Sequence, residues 1–92
     1  MHNQGVENVL SSLVEVLAAI EHERWSHWQN HLHSKCIANP DGTLTIPSEC
    51  AERWSKQAST PYADLTESER ESDRDQVRQY LPVIAAALKA AC

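Results

Sequence analysis

The chain has 92 residues, with 13 acidic and 8 basic side chains and a net charge of −5 at neutral pH. This length allows one domain with a small core, whose stability is marginal without a cross-link or a partner. An acidic chain without a basic stripe is not expected to bind nucleic acid, because the phosphate backbone requires clustered Lys and Arg. Two Gly, no Phe and many Ala, Leu, Glu, Gln and Arg residues favour helices.

The first segment is predicted to form one amphipathic helix from residue 6 to about residue 32, because its apolar residues recur at spacings of three and four. The stripe continues into Trp25 and Trp28, which places both near the edge of the buried face. Residues 1–4 have neither a basic region nor an apolar region that would make a signal peptide. No apolar run approaches the ~18 residues of a membrane span, so we expect a cytoplasmic protein without membrane contact.

The central segment is predicted to contain a turn, an extended piece and a second helix. Residues 39–42 read Asn-Pro-Asp-Gly, a strong turn signal, and residues 43–46 alternate as a short strand does. The second helix runs over residues 47–57, with Pro47 near its first position and Cys50, Trp54 and Ala58 facing inward. The three cysteines, Cys36, Cys50 and Cys92, lack metal-type spacing. We expect free thiols, with a Cys36–Cys50 disulfide as the alternative.

The third helix is predicted to begin after Thr66. Pro61 prevents a helix from crossing this point, and Thr66 and Glu69 form a capping box in which each side chain accepts a backbone N–H. The helix is expected to run from residue 67 to about residue 80. Pro82 must bend or interrupt it, and a bend is favoured because one apolar stripe continues beyond the proline to Leu88.

Two groups of side chains are candidates for a site. His22, Trp25 and Trp28 are successively three apart, so they form a ladder on one helix face. No nucleophile stands beside a base in a catalytic arrangement, so we expect no catalytic residue. His27 and His31 are four apart and could bind one metal ion, but a solvated polar face is the favoured interpretation and we expect no metal site.

Three charged residues, Arg70, Asp73 and Arg74, lie on the apolar stripe of the third helix. One interpretation is structural: Asp73 accepts a hydrogen bond from His22 or from an indole N–H and locks two helices together. The other is a cleft in which the indoles stack on a flat heterocycle while an arginine binds phosphate. Tyr62 is expected to pack its ring on the domain with its hydroxyl at the rim.

The chain resembles the ryanodine receptor repeat (RyR) domain family through two separated motifs. The signature Pro-Tyr-x-x-Leu-x-x-x-Glu-(Lys/Arg)-x-x-Asp-Arg is present as Pro61, Tyr62, Leu65, Glu69, Arg70, Asp73 and Arg74. Upstream, His22, Glu23 and Trp25, followed by Trp28, match the family's His-(Glu/Asp)-x-Trp element and its second aromatic residue. The resemblance covers roughly residues 17–88, although residues 32–59 show no similarity and Arg70 stands where Lys is commoner.

The resemblance implies one RyR-like domain over residues 1–92, with an all-α fold of three helices and an irregular central loop. RyR repeats are commonly paired, so a single copy implies a homodimer with an isologous interface. The family implies binding of an adenine-containing signalling nucleotide, at His22, Trp25, Trp28, Tyr62, Arg70, Asp73 and Arg74. No cofactor and no catalysis are implied.

Free-standing bacterial and phage relatives of the family are associated with nucleotide-signal immunity. A lone binding domain can lower the concentration of a free messenger by mass action, as a phage sponge does in anti-phage defence. The alternative is a protein–protein interaction or regulatory subunit module that uses the same tryptophan-lined face. An enzyme that cleaves the nucleotide ranks below both.

Overall fold

A computed structural model describes residues 3–91 of the chain. The all-α class predicted from the sequence is confirmed, because helices form most of the described chain and the sheet has two residues in each strand. The elements in chain order are helix α1 (Asn3–Ser11), helix α2 (Val14–Lys35), strands β1 (Ile37–Ala38) and β2 (Leu44–Thr45), helix α3 (Ser48–Ala58), a 3₁₀ turn (Tyr62–Asp64) and helix α4 (Glu67–Ala91).

The predicted helix over residues 6–32 is interrupted, and the prediction of one continuous helix is wrong at Ser12 and Leu13. The Ser12 hydroxyl donates to the Val9 carbonyl at 2.5 Å, and the Leu13 N–H donates to the Leu10 carbonyl at 3.0 Å. Serine side chains compete in this way for the carbonyls of the preceding turn. The interruption turns Leu13 inward, where only 7% of its surface is exposed.

The predicted turn at residues 39–42 is confirmed as the tip of a small hairpin. The Gly42 N–H donates to the Asn39 carbonyl at 3.1 Å, and Gly42 has a φ of 88°, which an L-residue rarely adopts. The predicted extended segment is confirmed as β2. Its antiparallel partner β1, which pairs Ile37 with Thr45, was not predicted because two apolar residues after a long helix carry no strand signal.

Helix α3 begins directly after Pro47, as predicted. Cys50 is buried, with 7% of its surface exposed, and faces inward as expected, whereas Trp54, which was expected in the core, is half-buried. Ala58 was expected to face inward as well, but it is exposed at the last position of the helix. Cys36 and Cys50 are free thiols, which confirms the favoured interpretation for these two, and Cys92 lies outside the described residues.

The capping box at the start of α4 is confirmed by both of its hydrogen bonds. The Thr66 N–H donates to Glu69 Oε1 at 3.0 Å, and the Glu69 N–H donates to Thr66 Oγ1 at 3.1 Å. The helix then continues through Pro82 to Ala91, so the proline does not end it. The helix thus extends beyond residue 80, where the sequence predicted its end. The expectation that the helix continues past the proline with its apolar stripe is confirmed.

One polar contact joins the two long helices. The Tyr80 hydroxyl of α4 donates to Glu21 Oε2 of α2 at 2.5 Å, and Arg24 also donates to Glu21. Both hydrogen bonds lower the pKa of the Glu21 carboxyl below its ordinary value, and the one from Arg24 has the larger effect. The same contact with Glu21 raises the pKa of the Tyr80 hydroxyl. The contact links α2 to α4.

The described chain is long and flat. Its Cα atoms extend over 59 × 34 × 17 Å with a radius of gyration of 18.4 Å. A compact chain of this length has a radius of gyration of about 12 Å. Among the described residues, the buried hydrophobic side chains are Leu13, Cys50 and Leu65. No helix within residues 3–91 is long and apolar enough to cross a membrane.

Candidate functional site

An open groove, which we call the aromatic groove, lies between α2, α3, the 3₁₀ turn and α4. It encloses about 710 Å³. One wall is formed by four side chains of α2, at spacings that place them on one helix face: Arg24, His27, Trp28 and His31. The remaining lining comes from α3, α4 and the segment between them, with these main contributors: Trp54, Gln57, Tyr62, Leu65, Asp73 and Gln76.

Three rings define the floor of the aromatic groove. The rings of Trp28 and Trp54 meet edge to face, with centroids 5.4 Å apart and planes inclined at 72°. Trp28 also contacts His31, with centroids 5.6 Å apart. Edge-to-face contact is a favoured geometry for aromatic pairs, and it keeps one indole edge against the other indole's face. Trp28 keeps 39% of its surface exposed, so its ring remains accessible to a ligand.

A second, smaller pocket lies on the other side of Tyr62 and Asp73, which line both. It encloses about 430 Å³, and α4 supplies most of its lining. Val77 and Leu81 form its apolar floor, with Arg74 and Arg78 at its edge. Both apolar side chains are about half exposed, at 49% and 55%. This pocket is therefore a shallow apolar surface with a charged border.

The structure brings together three of the seven residues that the sequence analysis proposed for the site. Trp28, Tyr62 and Asp73 all line the aromatic groove. Arg74 lines the second pocket instead. The remaining proposed residues lie outside the lining of both pockets: His22, Trp25 and Arg70.

His22 and Trp25 form a stack of their own on the exposed side of α2. Their ring centroids are 6.1 Å apart and the planes are inclined at 17°. Trp25 exposes 54% of its surface. The predicted ladder is thus divided into two pairs, His22 with Trp25 and Trp28 with His31, and only the second pair faces the groove.

The interpretation of Asp73 as a buried lock between helices is wrong. Asp73 is exposed, and within residues 3–91 no hydrogen bond joins it to His22 or to an indole nitrogen. The Tyr80–Glu21 contact joins α2 to α4 instead. Asp73 instead lines the open groove, where it stays exposed.

The arginines of α4 are already paired with carboxylates. Arg74 Nη1 lies 2.6 Å from Glu67 Oε1 and 3.1 Å from Glu71 Oε1, and Arg70 Nη2 lies 2.8 Å from Glu67 Oε2. Arg78 continues the series by contacting Glu71 and Asp75. Hydrogen bonds from both Arg74 and Arg70 lower the pKa of the Glu67 carboxyl, and the one from Arg74 has the larger effect. The pKa of the Arg74 guanidinium is raised by its hydrogen bonds with two carboxylates, the larger effect coming from Glu67 and the smaller from Glu71.

Arg70 also supports the 3₁₀ turn that carries Tyr62. Its Nη1 donates to the Ala63 carbonyl at 3.0 Å, across seven positions of the chain. Two of its five N–H donors are engaged in this way, and its Nε atom is buried with no hydrogen-bond partner among the described residues. In this structure Arg70 positions the turn, and through the turn it positions the Tyr62 ring at the groove.

Several groove residues were missed by the sequence analysis. Trp54 was assigned to the core, whereas it is half-buried and lines the groove against Trp28. His27 and His31 were assigned to a solvated polar face, with a metal site as the less favoured alternative, whereas both line the groove. One signal for these groove residues was available in the sequence. Their spacing along the helix places four side chains on one face: Arg24, His27, Trp28 and His31.

The chain was compared with protein-family models, with curated proteins and with solved structures, and no match was found in any of the three.

Proposed function

We propose that the chain is a non-enzymatic, cytoplasmic binder of an adenine-containing signalling nucleotide, which lies in the aromatic groove. The observation that carries this proposal is the pair of indoles, Trp28 and Trp54, at 5.4 Å in an open groove of about 710 Å³. Small-molecule sites have volumes of roughly 300–1,000 Å³ and combine aromatic walls with a few polar groups. Nucleobases stack on such rings without further chemistry.

The polar lining of the groove also supports a nucleobase ligand. Gln57 of α3 and Gln76 of α4 both line the groove, so two amide groups are available. An amide presents a donor and an acceptor side by side, which matches the N6 and N7 atoms of adenine. The groove therefore offers stacking surface and edge recognition in one place.

The biological form we propose follows from the resemblance to RyR domains and is a sponge for an immune second messenger in anti-phage defence. A sponge needs only a binding site, because it lowers the free messenger by mass action. The alternative is a protein–protein interaction or regulatory module that uses the same groove. Contact of Arg70 or Arg74 with the ligand phosphate stays a prediction, and at both arginines the phosphate competes with Glu67 or Glu71 for the guanidinium group.

The first test measures nucleotide affinity by calorimetry with AMP, cyclic AMP, ADP-ribose and cyclic di-AMP as probes. We expect at least one probe to bind and the Trp28→Ala variant to lose about five- to 150-fold in affinity for it, equivalent to roughly 1–3 kcal/mol per stacked base. Trp25→Ala is the matched control, because Trp25 is on the same helix but outside the groove. Thermal melts establish that both variants are folded.

Two outcomes would contradict this proposal. If none of the four probes binds to the wild-type chain, the groove is not a site for adenine nucleotides. If Trp25→Ala loses affinity while Trp28→Ala does not, the ligand lies on the exposed His22–Trp25 stack rather than in the groove.

We also propose that two copies of the chain form a homodimer, for which the exposed area is the main support. The chain exposes 7237 Å², whereas a compact protein of 10.3 kDa exposes about 5,400 Å². The difference, about 1,800 Å² for each copy, is of the size that obligate homodimers bury. The surface we assign to the interface is the second pocket, where Tyr62, Val77 and Leu81 are exposed together.

Light scattering at micromolar concentration tests the homodimer. We expect the mass of a dimer for the wild-type chain and that of a monomer for the double variant Val77→Asp, Leu81→Asp, because two carboxylates cannot be buried unpaired at an apolar interface. Ile37→Asp is the control, since Ile37 is equally exposed but lies in the hairpin. A monomeric wild-type chain that melts cooperatively would refute the homodimer.

A further inference from the structure

We propose that the α4 helices of two copies lie side by side and parallel, with Asp73 of each copy paired with the partner's Arg78. This inference rests on the homodimer proposed above and adds the orientation of its two chains. The second pocket of one copy is then covered by the second pocket of the other.

Helix α4 carries an apolar stripe with the spacing of a coiled-coil seam. Its members follow one another at intervals of four, three and four: Val77, Leu81, Ile84 and Leu88. Two helices pack along such a stripe, because apolar side chains at alternating intervals of three and four stay on one side of each helix. Val77 and Leu81 are exposed in the second pocket, so this part of the stripe is open to a second chain.

The stripe differs from the face by which α4 contacts its own chain. Each member of the stripe is preceded by a half-buried residue: Gln76, Tyr80, Val83 and Ala87. Tyr80 is the residue that contacts α2 through Glu21. Successive residues of an α-helix are rotated by about 100°, so the half-buried face and the stripe point in different directions. The packing of α4 within its own chain therefore leaves the start of the stripe uncovered.

Opposite charges flank the exposed part of the stripe. Asp73 and Arg78 both line the second pocket, and they lie five positions apart on either side of Val77. In two parallel helices, a residue beside the seam faces the residue five positions further along the partner, on the partner's other flank. Asp73 therefore meets the partner's Arg78, and two-fold symmetry forms the pair twice. In antiparallel helices equivalent flanks face each other, so these two residues do not meet.

Both charged groups can accept a partner from another chain. Within residues 3–91 no ion pair engages the Asp73 carboxylate. Arg78 contacts Glu71 and Asp75 through Nη1, and among the contacts of the described residues its Nε and Nη2 atoms donate to no side chain. Complementary charges beside an apolar interface fix the register and orientation of the two chains more than they raise affinity. The pair therefore selects the parallel arrangement.

Charge reversal at either position tests the arrangement. Asp73→Arg places an arginine opposite the partner's Arg78, and Arg78→Glu places a glutamate opposite the partner's Asp73. We expect each variant to raise the dissociation constant of the dimer by about tenfold or more, because two attractions in each dimer become two repulsions. Sedimentation equilibrium over a series of protein concentrations measures this constant, at low ionic strength so that the charges are little screened.

A second reversal should restore the dimer. The chain that carries both Asp73→Arg and Arg78→Glu is expected to have a dissociation constant close to that of the wild-type chain. An equal mixture of the two single variants should form heterodimers, because both pairs across the interface are then opposite in charge. Native mass spectrometry identifies the heterodimer by its mass. Antiparallel helices predict neither recovery.

Asp75→Arg is the matched control, because Asp75 is another exposed acidic residue of α4 but does not line the second pocket. It should leave the dissociation constant unchanged. The neutral variants Asp73→Asn and Arg78→Gln carry the same test with a smaller change of shape and charge. Each removes both pairs and should weaken the dimer by about two- to thirtyfold. Thermal melts establish that every variant is folded.

The possible failures are distinguishable. A wild-type dimer that neither the reversed nor the neutral variants weaken would overturn the parallel arrangement and leave the homodimer intact. A loss of dimer that neither the double variant nor the mixture recovers, or that Asp75→Arg shares, would also overturn it. If the wild-type chain is a monomer at every concentration, the homodimer fails and this arrangement with it, whereas nucleotide binding in the aromatic groove is tested separately by calorimetry.

Discussion

The Leu65→Ala variant is expected to lose about 2–4 kcal/mol of the free energy of unfolding. Leu65 is 9% exposed, and the other buried hydrophobic side chains within the described residues are Leu13 and Cys50. A leucine truncated in so small a core leaves a cavity that few neighbours can fill. Urea unfolding monitored by circular dichroism, at one fixed protein concentration, measures the loss.

The control for this experiment is Leu44→Ala, which makes the same change of side chain on the hairpin. Leu44 is 43% exposed, so its truncation is expected to cost less than about 1 kcal/mol. If the two variants unfold at the same urea concentration, Leu65 does not belong to the core and the junction between the 3₁₀ turn and α4 is not where the fold is held.

The Pro82→Ala variant is expected to raise the free energy of unfolding, by up to about 3 kcal/mol. Pro82 lies inside α4 and has no N–H to donate to the carbonyl of Arg78, one turn earlier. Alanine restores that donor and removes the contact of the proline ring with the same carbonyl. The side chain is exposed, so little packing is lost in exchange. Thermal and urea unfolding both report the change.

Gln79→Ala serves as the reference for this effect, since it introduces alanine at another exposed position of α4 and should change stability by no more than about 0.5 kcal/mol. A Pro82→Ala variant that is less stable than the wild-type chain would contradict the prediction. It would show that the proline ring supports the packing of α4 rather than only interrupting its hydrogen bonds.

The elements that could be predicted from the sequence are those with a local cause. The capping box of Thr66 and Glu69, the turn that ends at Gly42 and the continuation of α4 past Pro82 each depend on residues only a few positions apart. The interruption at Ser12 was not predictable in the same way. Its apolar spacing is that of a continuous helix, and a single serine, whose hydroxyl contacts the Val9 carbonyl at the break, is not by itself a stop signal.

The candidate site was less accessible to sequence reasoning, because a groove is formed by elements that are distant in the chain. The aromatic residues of α2 were identified as candidates, but spacing could not tell that Trp54 of α3 would meet Trp28. It also could not tell that Trp25 would stack on His22 outside the groove. The charged residues of α4 suggested an anion site, whereas each arginine has a carboxylate within one or two helical turns.

This alternation of charges along α4 has a consequence for the order in which the chain folds. Arg74 contacts both Glu67 and Glu71 within a single helix, and the capping box lies at its start. Neighbouring contacts of this kind form on the microsecond scale or faster, before distant segments meet. The Tyr80–Glu21 contact, by contrast, joins residues 59 positions apart. We therefore expect the first half of α4 to become helical early and to serve as the surface on which α2, and with it one wall of the aromatic groove, is assembled.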